Sequence, residues 1–276
     1  MGKTISLLPY SNSLIMKSLV FCLLILTANI ISVFGQNDFK VIRVNGDILI
    51  KSRNISLETG TVFYSNEDLL FKTDDATAAV INAQKGRLVI TSRDHDLSAA
   101  KSNYLPSMYN ISSRGGIILN NADLGSVFSG KYVILERQGI TLDKNAFPMD
   151  NNNFFFLRYT YKGETINKKL PFSGDTLLIE KKSLLTVDGN PIPGADNTKI
   201  KLYYRKGNES ILISEFDLIF PDMKQLEKEV GIILNEMKGK TADEKINETG
   251  AFIGEFYGKT DRDCLANWLA SRFSVK

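Results

Sequence analysis

The chain has 276 residues, of which 43% are hydrophobic and 24% are charged. This length and composition predict a folded protein of one large or two ordinary domains and exclude a chain that is disordered throughout. The formal charge of +3 is too small for a nucleic-acid-binding protein, which usually shows a marked basic excess or stripe.

An apolar run over residues 18–34, SLVFCLLILTANIISVF, begins directly after Lys17. The basic start, the apolar middle and the small Gly35 before the polar Gln36 are the layout of a secretory signal peptide. We therefore predict a signal over residues 1–35 and a mature protein that is secreted or periplasmic.

Two alternatives to this signal stay open. Met16 is a second candidate start, and an uncleaved run would be a membrane anchor, because its length is at the lower limit of about 17 residues for a spanning helix.

Cleavage would remove Lys3 and Lys17 and lower the formal charge from +3 to +1. It would also leave Cys264 as the only cysteine, so we expect a buried structural thiol and no intrachain disulfide.

The first predicted elements are short strands. The dipeptide Asn45-Gly46 between FKVIRV and DILIKS predicts a two-residue hairpin, with Val41 opposite Ile50 and Ile42 opposite Leu49. Apolar pairs on both faces indicate strands enclosed on two sides, in a small barrel or a sandwich. Further short strands are predicted at residues 61–64, 69–71, 78–81 and 87–90.

The turn and core residues of this stretch form a pattern: Gly46, Leu57, Gly60, Asp68, Leu69, Thr73, Ala78, Val80 and Gly86. Over residues 39–92 the pattern resembles the periplasmic domain of FecR-type proteins, the iron-citrate signal transducers and their relatives. The resemblance implies an exported β domain that relays or receives a protein contact. In FecR transducers, the family that this stretch resembles, a cytoplasmic sigma-factor-binding domain and a membrane helix precede this module. Only 17 residues precede the apolar run here, so we expect the module to serve in another context.

A second β domain is predicted over residues 129–220, after a FecR-like domain over 36–128. Its strands are expected at residues 154–161, 164–167, 176–179, 199–204 and 211–216, with turns at Lys162-Gly163 and Lys206-Gly207-Asn208. Strands of this length, alternating between lysine and apolar residues, predict an antiparallel sandwich with one wet face.

A helical tail is predicted over residues 221–276, because the apolar period changes after Pro221. Three capping pairs indicate the helix starts: Asp222 with Gln225, Thr241 with Glu244, and Thr260 with Asp263. The predicted fold class is therefore mainly β, with a small β barrel or sandwich, a second sandwich-like domain and C-terminal helices.

No catalytic, cofactor-binding or metal-binding residue is predicted. Asp94-His95-Asp96 is the one place for a general base, but alternation in an extended chain puts the imidazole opposite the two carboxylates, and no second histidine exists for a usual zinc site. The aromatic cluster Phe154 to Phe156 with Tyr159 and Tyr161 predicts core packing, or a carbohydrate or peptide surface if it is exposed.

These features predict an exported, non-enzymatic binding or scaffold protein of a bacterial cell envelope that acts through contacts with an envelope or extracellular protein. One alternative is an envelope or extracellular hydrolase that uses His95 and nearby carboxylates. Another is a membrane-tethered signalling protein, if residues 18–34 are not cleaved. No nucleic-acid partner is expected.

Overall fold

The structure, a computed structural model, describes residues 38–94, 117–195 and 199–276. Residues 38–94 belong to one compact unit and residues 117–276 to a second. The chain is mainly β, with 41% strand and 24% helix, several antiparallel sheets and a helical C-terminal segment, which confirms the predicted fold class. Within the described ranges no sheet closes into a barrel, so the barrel form predicted for the first domain is wrong.

The first unit has two antiparallel sheets, β4-β1-β6-β7 and β3-β2-β5. Its strands are β1 (Asp38–Asn45), β2 (Ile48–Ile50), β3 (Ile55–Ser56), β4 (Val62–Tyr64), β5 (Leu69–Phe71), β6 (Thr77–Asn82) and β7 (Gly86–Thr91). Side chains from both sheets fill one core, in which Phe39 stacks on Phe63 at a centroid distance of 5.9 Å.

The hairpin predicted at Asn45-Gly46 is wrong. Strand β1 pairs with β4 and β6, with Val41 facing Val80, so neither predicted pair between β1 and β2 forms. Gly46 takes a positive φ of 75° but Asn45 does not, and a two-residue hairpin of this kind needs both. A Cβ on Gly46 would lie 3.0 Å from that of Ala76. The glycine therefore lets the chain run close to Ala76 as it crosses from one sheet to the other.

The second unit holds the remaining elements. Its strands are β8 (Lys131–Val133), β9 (Arg137–Thr141), β10 (Asn153–Tyr161), β11 (Glu164–Lys169), β12 (Phe172–Ser173), β13 (Thr176–Glu180), β14 (Thr186–Val187), β15 (Asn190–Pro191), β16 (Lys199–Lys206) and β17 (Glu209–Ile219). Its helices are α1 (Asn121–Val127), α2 (Lys181–Leu184), α3 (Met223–Glu236), α4 (Ala242–Phe256) and α5 (Arg262–Phe273).

A five-stranded sheet, β11-β10-β16-β17-β8, dominates the second unit, and a three-stranded sheet, β12-β13-β9, shares its core. All pairs in the larger sheet are antiparallel except β17 with β8. The predicted hairpin turns at Lys162-Gly163 and at Lys206-Gly207-Asn208 are confirmed. Before α1, Ile118 forms an isolated parallel bridge with Leu142.

The helix starts are confirmed at two of the three predicted caps. Asp222 accepts hydrogen bonds from the amides of Lys224 and Gln225, and Thr241 forms a reciprocal capping box with Glu244. The third helix begins after Asp261 instead of Thr260, because the Asp261 carboxylate accepts from the amide of Cys264.

The C-terminal helices lie in the same compact unit as the five-stranded sheet. The domain boundaries at residues 128/129 and 220/221 stay predictions. After α4 the chain joins the edge of β8: the Lys259 amide donates to the Lys131 carbonyl at 2.8 Å, and the Val133 amide donates to the Lys259 carbonyl at 2.7 Å. Among the described residues, no helix has the length and apolarity needed to span a membrane.

Candidate binding face

Strand β10 sends alternate side chains to opposite faces of the five-stranded sheet. Phe155, Leu157 and Tyr159 are buried in the core. Phe154 and Phe156 point the other way, so the aromatic cluster predicted as one set is divided between a core and an outer face, on which Phe156 is only 7% exposed. The Tyr159 hydroxyl donates to the Leu184 carbonyl at 2.7 Å, and burial raises the pKa of this phenol.

The turn at Lys162-Gly163 determines what stands beside these outer aromatic rings. Both residues have positive φ, 52° and 77°, which is the requirement of a tight two-residue hairpin. The resulting register places Phe156 opposite Lys169 on one side, and β16 places it opposite Tyr203 on the other. The local turn therefore places Lys169 beside Phe156, and the pairing of β10 with β16 adds Tyr203 to the row.

Two cations lie over the rings of this row. The Arg158 guanidinium carbon is 4.6 Å from the Tyr203 ring centroid, and Arg158 Nε donates to Asn167 Oδ1 at 2.8 Å. The ring of Phe156 is nearly parallel to that of Tyr203, at 7° and a centroid distance of 5.1 Å. Lys169 Nζ lies 4.3 Å from the Phe154 centroid. Each such contact contributes about 0.5–1 kcal/mol at an exposed position.

A β-bulge extends the row onto β17. The register shifts between Leu202 and Tyr203, which face Ser214 and Leu212, so Ile213 is the extra residue. The shift lets Leu212 stay on the outer face beside Tyr203 while Ser214 turns inward, where its hydroxyl donates to a core carbonyl. Leu212 is 49% exposed, which is unusual for so large an apolar side chain in a sheet.

We call Phe154, Phe156, Arg158, Lys169, Tyr203 and Leu212 the aromatic–cationic face. The acidic residues Glu215 and Asp217 lie toward the other end of these strands, where Glu215 pairs with Lys201 at 3.3 Å and Asp217 with Lys199 at 3.4 Å. Lys201 is also the cross-strand neighbour of Arg158. Near the rings, Asp150 has a lowered pKa, mainly because Asn153 donates to its carboxylate and to a lesser extent because of Lys169. The aromatic end of the sheet is thus the more positive end.

The residues considered for catalysis do not form a described site. Asp94 is exposed in the turn after β7, where its amide donates to Thr91 Oγ1 at 3.0 Å. His95 and Asp96 lie outside the described residues. No group of three or more His, Cys, Asp or Glu side chains that could hold a metal ion occurs in residues 38–94, 117–195 or 199–276.

Cys264 is only partly buried, so the prediction of a buried thiol is wrong in degree. Desolvation and then the nearby Asp261 carboxylate raise the pKa of the thiol to about 12. A thiol with this pKa is protonated at neutral pH and is a poor nucleophile.

Comparison of the chain with protein-family models and with curated proteins produced no match.

Proposed function

We propose that the protein is a non-enzymatic binding component of a bacterial cell envelope and that its aromatic–cationic face binds an acidic protein partner. The observation that carries the proposal is the stacked pair of Phe156 and Tyr203 beneath Arg158, continued by the exposed Leu212. Rings that are already ordered lose little conformational entropy on binding.

The composition of this face favours a protein partner. Tyrosine, phenylalanine and arginine are enriched at the centres of protein interfaces, and tyrosine and arginine are frequent energetic anchors. Arg158 and Lys169 would attract an acidic partner, and the affinity should fall as salt screens this attraction.

A carbohydrate is the other candidate ligand for these aromatic rings. Sugar rings stack on open aromatic faces, but Arg158 lies over the ring of Tyr203 and Lys169 lies over that of Phe154. These cations compete with a sugar for the same ring faces. The geometry therefore favours a protein over a carbohydrate.

The envelope location rests on the apolar run at residues 18–34 and on the FecR-like pattern of residues 39–92. If the apolar run is retained, the protein would instead be a membrane-tethered signalling protein, and the same face would bind its partner. The hydrolase that uses His95 is the competing class, and a His95→Ala variant that loses a measured envelope-hydrolysing activity would favour it.

The decisive experiment is crosslinking and affinity capture of the native protein from its own cells, with charge-reversal variants. We expect Lys169→Glu and Arg158→Glu each to lose a stoichiometric partner. Lys228→Glu, an exposed change on α3, is the matched control and should retain that partner. Circular dichroism establishes that each variant is folded.

Three results would overturn the proposal. One is that the variants of the face and the Lys228 control capture the same partner equally well. Another is that the captured partner binds with an affinity that does not change with salt. The third is that folded wild-type protein captures no stoichiometric partner.

A further inference from the structure

A pocket of about 200 Å³ lies on the inner side of the five-stranded sheet, opposite the aromatic–cationic face. One wall is the sheet itself, through inward side chains of β10, β16 and β17. The other wall is the segment from α2 to residue 195. The residues that line the pocket include Leu157, Tyr159, Lys181, Leu184, Ala195 and Phe220.

Most of the side chains that line this pocket are apolar, and polar backbone and side-chain atoms line the rest. The polar side-chain group among these inner residues is the Tyr159 hydroxyl, which donates a hydrogen bond to the Leu184 carbonyl at 2.7 Å. An apolar cavity of about 150 Å³ stays dry and accepts a molecule the size of benzene. The pocket therefore has room for one ring or a short acyl chain.

A cation stands at one side of the pocket. Lys181 and Leu185 line both the pocket and a neighbouring open groove of about 1000 Å³, so the two volumes adjoin at these residues. Lys181 Nζ lies 5.6 Å from the Phe220 ring centroid. In residues 117–195 and 199–276, Lys181 forms no ion pair.

The acidic groups of the groove are already paired. Glu180 accepts from Arg137 at 2.8 Å, and Glu136 accepts from Arg272 at 2.6 Å. Two further ammonium groups, those of Lys168 and Lys182, line the groove, and Lys168 donates to the Thr186 carbonyl at 2.6 Å. The charge next to the apolar pocket is therefore positive and accessible to an anion.

We propose that this pocket binds a small amphipathic carboxylate, with its apolar ring or chain among Leu157, Leu184 and Phe220 and its carboxylate on Lys181. The apolar part supplies affinity by leaving water. The ion pair selects an anion over a neutral or cationic analogue of the same length. This site is separate from the proposed protein-binding face, so either can fail without the other.

The test uses octanoate, 1-octanol and octylammonium as probes of one chain length and three charges, titrated into the full chain by calorimetry. We expect octanoate to bind most tightly and octylammonium least tightly. Lys181→Gln should lower the affinity for octanoate by up to about fivefold, which is the contribution of a solvent-accessible ion pair. It should leave the affinity for 1-octanol unchanged. Lys182→Gln is the matched control, because Lys182 lines the groove but not the pocket.

A second measurement locates the probe. Ala195→Phe should fill the pocket and abolish binding of octanoate and octanol. If that variant does not fold, intermolecular nuclear Overhauser contacts from octanoate to the methyls of Leu157 and Leu184 in the wild type serve instead. Equal binding of the three probes, no binding of octanoate below its micelle concentration, or contacts to Phe154 and Leu212 in place of the pocket would each overturn the proposal.

Discussion

The hydroxyl of Tyr257 donates a 2.6 Å hydrogen bond to Oε2 of Glu229, a carboxyl group with no solvent exposure. The other carboxyl oxygen accepts from Gln225 Nε2 at 2.8 Å. Glu229 lies in α3 and Tyr257 directly follows α4, so this bond joins the two helices. Leaving a buried oxygen with fewer donors costs more than forming the bond contributes.

We expect Tyr257→Phe to lower the free energy of unfolding by about 1–3 kcal/mol, because the buried carboxyl of Glu229 loses one of its donors. Urea unfolding followed by the fluorescence of Trp268 measures this loss, because Trp268 is the only tryptophan and lies in the second unit. Tyr161→Phe, at a partly exposed position of the same unit, should change the free energy of unfolding little. Equal effects of the two variants would contradict the role given to Tyr257.

Gly258 permits the close approach of the helical segment to β8. Its φ is +138°, and an added Cβ would lie 2.6 Å from the Lys131 carbonyl oxygen. We expect Gly258→Ala to destabilise the second unit by about 3 kcal/mol, through strain and displacement of β8.

Gly207→Ala is the control for this prediction. Gly207 also has a positive φ, 58°, but its Cβ would meet nothing within 4 Å, so the cost should be about 1 kcal/mol. Thermal unfolding of the two variants separates close contact from backbone conformation. A Gly258→Ala protein as stable as Gly207→Ala would show that β8 and residue 258 separate easily.

Local signals were sufficient to predict two of the three helix caps and the two hairpin turns of the second unit. The caps at Asp222 and Thr241 and the turn at Lys162-Gly163 depend on side chains and dihedral angles within four residues. The third cap was misplaced because Thr260 and Asp261 are both good capping residues. Thr260 is 4% exposed, and the more accessible Asp261 forms the cap.

Strand partners and the outer face could not be predicted in this way. The Asn45-Gly46 signal is local, but β1 pairs with β6, a choice made by packing of residues distant in sequence. The aromatic–cationic face depends on Tyr203 standing beside Phe156, which requires the register of two strands. Alternation along β10 alone was enough to separate Phe155 from Phe156, and that signal was missed.

The N-terminal apolar run makes a processing prediction. When the full chain is expressed in a bacterium with an export pathway, the mature protein should begin at Gln36. Intact-mass measurement of the exported protein checks this, and Gly35→Leu should accumulate precursor, because a signal peptidase requires a small residue before the cut. An exported protein that retains residues 18–34 would contradict the prediction and favour the membrane-tethered alternative.

The raised pKa of Cys264 predicts slow alkylation in the folded state. Because burial and Asp261 disfavour the thiolate, the folded protein should react slowly with iodoacetamide at about pH 8, and the protein unfolded in urea should react quickly. The chain for this measurement carries Cys22→Ser, so that Cys264 is the only thiol. Equal rates in the two states would show that the thiol is accessible and ionises normally.

The same thiol should make stability depend on pH in the alkaline range. The folded pKa of Cys264 is about 12 and the ordinary value is 9.0, so the unfolded chain loses this proton first as the pH rises. Stability from Cys264 is therefore fully present below pH 9 and is lost between pH 9 and pH 12. Cys264→Ala should remove this part of the decrease in the free energy of unfolding with rising pH. Urea unfolding of both proteins at several alkaline pH values, followed by Trp268 fluorescence, measures the difference, and parallel curves would contradict the assigned shift.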